Sequence, residues 1–454
     1  MDNEIQALTE LAAEVVERAR KGGADVAEAI ARSGSELTTK VRLGEPELVR
    51  EAAHRGLGMR VMKDRRVALT TTSDLTPRGI DRFVADALAL VEISQEDPFA
   101  GPADPELITK GPFPELDLYD PAGGAITAAE AVALAKRGEE AARAFDARIT
   151  NSEGATFARA AGAYALVLSG GFRAGSAGSY ASLVVTPVAD DEGGKKRRGH
   201  HWTARRFLAE LDSPEEVGRE AARRTLRKLG ARKVPTAEAP VVFDPDAARG
   251  MVGLLASCVM GSSIWRKSSY LVGREGTRIG SDLITIVDDP LMPRAPGSRA
   301  FDGEGLAARR NLVVDAGVLR TYLCDSYSAR KLGRASTASA ARGASGGVGP
   351  STSNLVLQPT HTKAADIVKG VARGLYVTEM MGFGFNAVTG DFSRGASGFW
   401  IEDGELAFPV SEVTISLNLD QLWQRVDAVG DDLDLRTATA SPTLRVSAMT
   451  IAGS

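Results

Sequence analysis

The chain has 454 residues, which favours two or three domains, and its 43% hydrophobic and 25% charged residues support a sizeable globular core. The formal net charge of −4 argues against a dedicated nucleic-acid-binding protein, and two cysteines, Cys258 and Cys324, are too few for a disulfide framework. The N-terminus has no signal-peptide pattern and no apolar run is long enough to span a membrane, so the sequence predicts a cytoplasmic protein.

The first half is predicted to be an α+β domain, residues 1–232, with helices around a mixed sheet. Apolar spacing indicates a first helix over residues 3–21, followed by short strand-like runs such as Val26–Ala31 and Leu37–Leu43. Helices with clear N-terminal caps are predicted to begin at Thr76-Pro77, at Thr127 with Glu130, and at Ser213 with Glu216. Residues 97–124 hold six prolines and are interpreted as an extended connector.

The second half, residues 240–454, is predicted to be a β-rich domain of antiparallel sheet. Asp244-Pro245 marks the start of an apolar helix, and Asp403-Gly404 between two strand-like runs is typical of a tight hairpin. Residues 334–354 are small and polar, which predicts a mobile loop. The predicted fold class is therefore α+β with two domains.

The stretch from Met381 to Leu419 combines flexible backbone with polar side chains. Five glycines fall within seventeen residues, among Asn386, Thr389, Asp391 and Arg394. Glycine is required where the backbone takes positive φ or comes close to another chain, so this pattern favours a cleft that accepts backbone. An irregular connection between strands explains the same pattern equally well.

The residues alone identify no metal site. The four histidines are His54, His200, His201 and His361. No two of them are spaced i,i+4 or i,i+5, so no helix presents a histidine pair to zinc, and a metal-free chain is predicted. Cys324 or Ser326 with a distant histidine leaves a nucleophilic site open, although Cys324 is better interpreted as a buried apolar residue.

One strongly basic run follows the predicted strands of the first half. Its members are Lys195, Lys196, Arg197, Arg198, His200, His201 and Trp202. Such a run can bind anions or nucleic acid, with Trp202 stacking on a base. The preferred interpretation is a solvated loop balanced by the acidic residues 190–192.

Several blocks of the sequence resemble the TldD/PmbA family, whose members were once described as modulators of DNA gyrase and are understood as metallopeptidase subunits. The blocks are Arg309–Leu312, Leu323–Gly333, Ser353–Leu355, Gly374–Glu379, Thr389–Gly395 and Gly398–Glu402. The resemblance implies a dimer around a cavity that cleaves unfolded or short peptides, including the removal of leader segments from precursor peptides.

The resemblance also distinguishes two kinds of subunit. TldD-type subunits carry His-Glu-x-x-x-His on the helix that opens the C-terminal domain, and a cysteine near the C-terminus completes their zinc site. Here the matching helix, residues 247–260, has no histidine or glutamate, and Arg436–Pro442 has no cysteine. The chain therefore resembles the PmbA/TldE type. This implies no metal and no catalytic residue in this chain, and a heterodimer with a zinc-bearing TldD-type partner; a homodimer of the isolated chain stays open.

A peptide cleft is the site that the resemblance implies for this chain. The candidate cleft residues are Asn386, Thr389, Asp391, Ser393, Arg394, Ser326 and Tyr327. Two alternatives remain: an autonomous hydrolase that uses Cys324, Ser326 or a non-standard metal site, and a modulator that binds nucleic acid or gyrase through the basic run.

Overall fold

A seven-stranded sheet occupies the first half of the chain in the computed structural model, which describes residues 1–453. Its strands are β1 (Val26–Arg42), β2 (Glu45–Lys63), β3 (Arg66–Thr72), β4 (Asn151–Leu168), β5 (Arg173–Asp190), β6 (Lys196–Arg198) and β7 (His201–Arg205). The strand order is β3-β2-β1-β4-β5-β6, and β7 also pairs with β5. Short turns join β1 to β2, β2 to β3 and β4 to β5, and such turns permit only antiparallel neighbours.

Five helices belong to this half. They are α1 (Asp2–Lys21), α2 (Pro77–Ile93), α3 (Pro121–Ala125), α4 (Ala128–Arg143) and α5 (Pro214–Leu226). The caps are those predicted: Thr76 caps α2, and both capping boxes form, Thr127 with Glu130 and Ser213 with Glu216. One apolar core lies between the sheet and the helices α1 and α2, and a second between the sheet and the helices α4 and α5.

The second half contains two larger sheets and a short hairpin. Its strands are β8 (Ala237–Phe243), β9 (Ile286–Asp288), β10 (Asn311–Asp315), β11 (Val318–Leu319), β12 (Ala340–Arg342), β13 (Val348–Pro350), β14 (Leu355–Leu357), β15 (Arg373–Met381), β16 (Asp391–Glu402), β17 (Glu405–Asn418), β18 (Val426–Val429), β19 (Thr439–Ala440) and β20 (Leu444–Ala452). The sheet orders are β17-β16-β15-β8-β20-β18 and β11-β10-β9-β14-β19. Because β17 also pairs with β20, five strands of the first sheet close into a ring.

The helices of the second half are α6 (Pro245–Val259), α7 (Gly261–Trp265), α8 (Ser326–Leu332), α9 (Ala364–Lys369) and α10 (Leu419–Gln424). Helix α6 begins at Asp244 as predicted and contributes its apolar face, including Met251 and Leu255, to the largest core. None of the helices within residues 1–453 is long and apolar enough to cross a membrane.

The predicted α+β class is confirmed, but the parallel strand pairs lie in the other half from the one predicted. All pairings of the seven-stranded sheet in the first half are antiparallel. In the second half, β8 pairs in parallel with β15, and β14 with β19. The two predicted runs Val26–Ala31 and Leu37–Leu43 fall in one strand, β1, except for Leu43, which begins the turn after it. The intervening residues 32–36 are polar or glycine, and they line a cavity to which the second half of the chain also contributes residues.

The prediction of a mobile loop over residues 334–354 is wrong. Its small polar residues are largely buried, and β12 and β13 form a hairpin within it. Thr337 Oγ1 accepts a hydrogen bond from the amide of Cys324 at 2.7 Å, and Ser336 Oγ donates to the carbonyl of Cys324 at 3.1 Å. Small hydroxyl side chains are therefore used here to satisfy buried backbone, a role that composition does not distinguish from a solvated loop.

A buried ion cluster joins the two halves. Glu28 of β1 forms an ion pair with Arg60 of β2, whose Nε lies 2.9 Å from Glu28 Oε2, and it accepts hydrogen bonds from Arg60 Nη2 at 3.3 Å and from Arg342 Nη2 of β12 at 2.7 Å. The three residues are 2%, 8% and 7% exposed, respectively. Burial alone would raise the pKa of Glu28, but the two guanidinium groups outweigh burial and lower it, so the cluster holds a carboxylate between two cations.

Candidate functional site

A cavity of about 350 Å³ lies where α5 of the first half meets α6, β15 and β16 of the second. We call it the α5–α6 cavity. Three features that are distant in the sequence meet there: the first turns of α6, His200 from the basic run, and Arg394 from the glycine-rich stretch. This convergence makes the cavity the candidate functional site.

Most charges in the α5–α6 cavity are paired across it. Lys228 Nζ lies 3.0 Å from Glu379 Oε2, and Asp246 lies 3.5 Å from both Arg224 Nη1 and Arg249 Nε. Arg394 differs, because its Nε is buried without a hydrogen-bond partner among residues 1–453. A guanidinium donor left in this state can serve a carbonyl or carboxylate of a bound molecule.

Two acidic groups in the cavity have opposite pKa shifts. Burial raises the pKa of Asp244 to about 7, against the hydrogen bond that its Oδ1 accepts from the amide of Ala247 at 2.8 Å. Burial would also raise the pKa of Glu379, but Lys228 outweighs it and the net pKa is lowered. The cavity therefore holds one carboxylate that ionises near neutral pH and one that stays charged.

Replacing Asp244 by asparagine is expected to make stability less dependent on pH. The folded pKa of Asp244 lies above its unfolded value of 3.8, so its contribution to stability falls as pH rises from about 4 to about 7. Asparagine still caps α6 but cannot ionise, so we expect Asp244→Asn to gain about 2 kcal/mol relative to the wild type between pH 5 and pH 8. Urea unfolding at both pH values measures this gain. Asp244→Ala, which removes the cap, should be destabilised at both pH values. If the difference in free energy of unfolding between the wild type and Asp244→Asn is the same at pH 5 and pH 8, the raised pKa of Asp244 is contradicted.

The segment after residue 435 lies against α6. Arg249 Nη1 of α6 donates to Thr437 Oγ1 at 3.3 Å, and the guanidinium groups of Arg249 and Arg436 lie 5.1 Å and 4.4 Å from the centroid of the Trp202 ring. Within residues 1–453 no three His, Cys, Asp or Glu side chains are placed to share a metal ion. The residues at this contact, a guanidinium and a hydroxyl, do not fit zinc, which takes imidazole, thiolate or carboxylate ligands.

The predicted residues of the glycine-rich stretch form an exposed turn before β16. Thr389 Oγ1 donates to Asp391 Oδ2 at 2.7 Å and Asn418 Nδ2 to Asp391 Oδ1 at 3.1 Å, and these two hydrogen bonds lower the pKa of Asp391. Asn386 Oδ1 accepts from the amide of Val388 at 3.0 Å, and Ser393 is exposed at the start of β16. These groups shape the turn, and of the predicted cleft residues only Arg394 lines the α5–α6 cavity.

The close approach of Gly384 to Ser393 explains one of the glycines. A Cβ at Gly384 would lie 1.7 Å from the carbonyl oxygen of Ser393, so no other residue fits without moving the strand. The amide of Ser393 donates to the carbonyl of Gly384 at 2.8 Å. Glycine here serves the packing of the chain on itself.

Ser326, Tyr327 and Cys324 lie elsewhere. Ser326 is buried, and its amide and Oγ both donate to Glu304 Oε2, at 2.8 and 2.7 Å. Tyr327 donates to Asp97 Oδ2 at 2.7 Å beside a separate cavity of about 790 Å³. Cys324 is fully buried, which raises its pKa to about 11, and a thiol in this state is a poor nucleophile. None of the hydrogen bonds of these residues involves a histidine.

The basic run is largely neutralised by the chain's own acidic groups. Arg197 pairs with Asp191 at 2.6 Å, Arg198 with Glu153 at 3.2 Å, and Lys196 with Asp190, while Lys195 is exposed. Burial lowers the pKa of His201 to about 4, with Arg224 and Arg436 adding to the effect, so this imidazole is neutral at physiological pH. The charge available for an external phosphate is accordingly small.

Most charged residues of the candidate site were missed from the sequence, among them Asp244 as a titrating group, Lys228, Arg249 and Glu379. Lys228 and Glu379 are 151 positions apart. No local pattern joins residues at that distance, although the Asp-Pro cap before α6 did mark where the cavity begins.

Three family models cover most of the chain. They are the PmbA/TldA metallopeptidase domain 1 over residues 27–91, the central domain over residues 122–229, and the C-terminal domain over residues 236–453. The predicted boundaries 1–232 and 240–454 stay a prediction.

Relatives match the chain over nearly its full length. Metalloprotease PmbA of Escherichia coli O157:H7 is 37% identical over 95% of this chain and 93% of its own, and a PmbA homologue of Haemophilus influenzae is 34% identical over 99% and 96%. The crystal structure of a Bacteroides thetaiotaomicron protein, named a candidate modulator of DNA gyrase, superposes with a TM-score of 0.91 at 29% identity over 98% of both chains. TldE from Thermococcus kodakarensis has the same fold, with a TM-score of 0.88 at 22% identity, over 98% of this chain and 100% of its own. The chain belongs to the TldD/PmbA family of metallopeptidases.

Proposed function

We propose that this chain is the zinc-free, PmbA/TldE-type subunit of a heterodimeric peptidase. In this proposal a TldD-type partner carries the zinc and cleaves the peptide, and the present chain forms part of the cavity wall and guides the substrate. The substrates are unfolded or short peptides, including precursors that lose a leader segment, and the complex works in the cytoplasm.

One observation carries the proposal. The two segments in which a TldD-type subunit holds its zinc ligands are in contact here, and the contact is made by Arg249 and Thr437. A guanidinium is a permanent cation, so Arg249 would repel a metal ion placed at this contact. The chain thus keeps the scaffold of the site while its side chains oppose the metal.

The α5–α6 cavity supports a role in holding peptide. Lys228, Arg224 and Arg249 are paired with its acidic groups, whereas the Nε of Arg394 is buried without a partner within residues 1–453. A peptide offers carbonyl groups along its length and a carboxylate at its end, and both are acceptors for a guanidinium.

The alternatives gain no support from these contacts. Cys324 and Ser326 are buried and hydrogen-bonded to partners other than histidine, and the basic run is paired with Asp190, Asp191 and Glu153. An autonomous hydrolase and a nucleic-acid-binding modulator therefore rest on the sequence pattern alone.

The chain purified alone is expected to hold well under one zinc per molecule and to leave unfolded casein and short peptides intact. Addition of a TldD-type subunit from the same source should produce a complex on size-exclusion chromatography and peptide cleavage that a chelator abolishes. Zinc is measured by atomic spectroscopy and cleavage by mass spectrometry. Stoichiometric zinc together with cleavage by the isolated chain would overturn the proposal, and a homodimer that excludes the partner would overturn the heterodimer.

A further inference from the structure

A second cavity, of about 460 Å³, lies on the face of the seven-stranded sheet that is turned toward the second half of the chain. We call it the sheet-face cavity. Part of its wall is made by two cross-strand pairs, Ile30 with Leu166 and Arg32 with Tyr164. Phe301 of the second half closes it, with its ring centroid 6.0 Å from that of Tyr164. The cavity is therefore an apolar niche with guanidinium and phenol groups in its wall.

The floor of the sheet-face cavity is mostly backbone. Gly34, Gly162 and Gly178 lie opposite one another on β1, β4 and β5. Two side chains pack against these glycines. A Cβ at Gly34 would come within 2.8 Å of the His54 ring, and a Cβ at Gly178 within 3.2 Å of Arg206 Nη1. The missing side chains provide the depth of the cavity.

Arg342 of this cavity is paired with Glu28, but three other arginines of its lining, Arg32, Arg206 and Arg299, form no ion pair with a carboxylate within residues 1–453. Arg206 donates only to backbone carbonyls, and Arg32 Nη2 donates to the carbonyl of Arg342 at 2.6 Å. Arg299 makes no side-chain hydrogen bond and no ion pair within residues 1–453. The Nε atoms of Arg32 and Arg299 are both buried and unpartnered there.

The buried carboxylate of the cavity does not balance these cations. Asp302 accepts from the amides of Glu304 at 2.9 Å, Leu306 at 3.0 Å and Ala340 at 3.1 Å, and it forms no ion pair with an arginine. Arg32 and Arg299 thus hold partly desolvated charge without a carboxylate in ion-pair contact, which is unfavourable, so the cavity is suited to an anion from outside the chain.

We propose that the sheet-face cavity binds the carboxylate of a small apolar organic acid. The carboxylate lies between Arg32 and Arg299, with the hydroxyl of Tyr164 as a further donor. Its apolar body packs on Ile30 and Phe301. A planar guanidinium matches a carboxylate, and the apolar wall beside the cations favours an organic acid over inorganic phosphate. This site is separate from the α5–α6 cavity and does not depend on the function proposed for it.

The same chemistry is offered by a free acyl amino acid and by the C-terminal residue of a short peptide. Isothermal titration of the full chain with N-acetylphenylalanine and with Gly-Gly-Phe, each as the acid and as the neutral amide, separates these two sources. We expect at least one acid to bind. Its amide should bind at least about tenfold more weakly, because the charge-assisted hydrogen bonds are lost. Binding of the peptide acid alone assigns the site to peptide ends, and binding of the acyl amino acid alone assigns it to free acids.

Variants of Arg299 test the site without disturbing a native contact of that side chain. Arg299→Gln should weaken binding of the acid about tenfold or more, and Arg299→Lys less, because lysine keeps the charge but not the planar fork. Arg82→Gln, on the exposed face of α2, is the matched control and should bind like the wild type. Thermal unfolding confirms that each variant is folded.

The proposal is overturned if neither acid binds, if acid and amide bind alike, if inorganic phosphate binds as tightly as the acid, or if a folded Arg299→Gln binds normally.

Discussion

Replacing Glu28 by glutamine is expected to lower the free energy of unfolding by about 3–5 kcal/mol, a large share of the total stability of a protein. The change leaves Arg60 and Arg342 buried without their counter-charge, and removing one partner of a buried ion cluster costs more than the cluster contributes as a whole. Urea unfolding at neutral pH measures the loss. Because Glu28 joins β1 to β12, the two halves should also separate more readily, which limited proteolysis between residues 226 and 240 detects.

The pH dependence of that loss has a definite sign. The folded pKa of Glu28 is below its unfolded value of 4.5, so its contribution is fully present above pH 4.5 and declines as pH falls through the folded pKa. The wild type and Glu28→Gln should therefore converge in acid. Glu92→Gln, which removes an exposed partner of Lys63 on the same strand as Arg60, is the control and should have little effect. A Glu28→Gln protein as stable as Glu92→Gln would show that the buried cluster does not hold the halves together.

Replacing Arg394 by alanine is expected to reduce peptide cleavage by the assembled complex about tenfold or more, the loss of roughly one charge-assisted hydrogen bond to substrate. Arg394 lines the α5–α6 cavity with a buried Nε that has no hydrogen-bond partner within residues 1–453, so its removal should break few contacts within the chain. The zinc content of the complex should not change, because the metal is proposed to lie on the partner. Steady-state cleavage of one peptide, with zinc measured on the same sample, tests both statements.

Arg373 provides the matched control for Arg394. It lies at the start of β15, where its guanidinium is 5.4 Å from the centroid of the Trp400 ring, and it is outside the α5–α6 cavity. Arg373→Ala should leave cleavage at the wild-type level. If Arg394→Ala does the same in a complex that still assembles, the cavity is a structural void and the peptide is held elsewhere.

Local signals in the sequence predicted local structure well. The capping box of Thr127 and Glu130 needs only residues three apart, and Asp403-Gly404 defines its hairpin within two residues, so both were predicted and both form. The mobile loop over residues 334–354 failed for the opposite reason. Whether a serine or threonine is solvated or hydrogen-bonded to buried backbone depends on other segments of the chain, such as the connection before α8, where Thr337 and Ser336 contact the backbone of Cys324.

The candidate site could be predicted only in part. Arg394 and His200 were singled out for separate reasons, and nothing in the sequence indicated that they line one cavity. Asp391 and Thr389 carried the same polar signal as Arg394, yet they hydrogen-bond within their own turn, because side-chain direction alternates along β16 and is fixed by its pairing with β17. The family resemblance supplied the class of protein, and packing determined which of its polar residues face the cavity.

The position of Trp202 allows its fluorescence to report whether the two halves are docked. It is the one tryptophan in the first 235 residues of a chain that has four, and its ring contacts Arg249 and Arg436 of the second half. With Trp265, Trp400 and Trp423 changed to phenylalanine, the remaining emission would come from a single indole whose surroundings exist only while the halves are together. Its spectrum and its quenching by iodide would then report the opening of that contact in real time, during unfolding, partner binding or peptide entry.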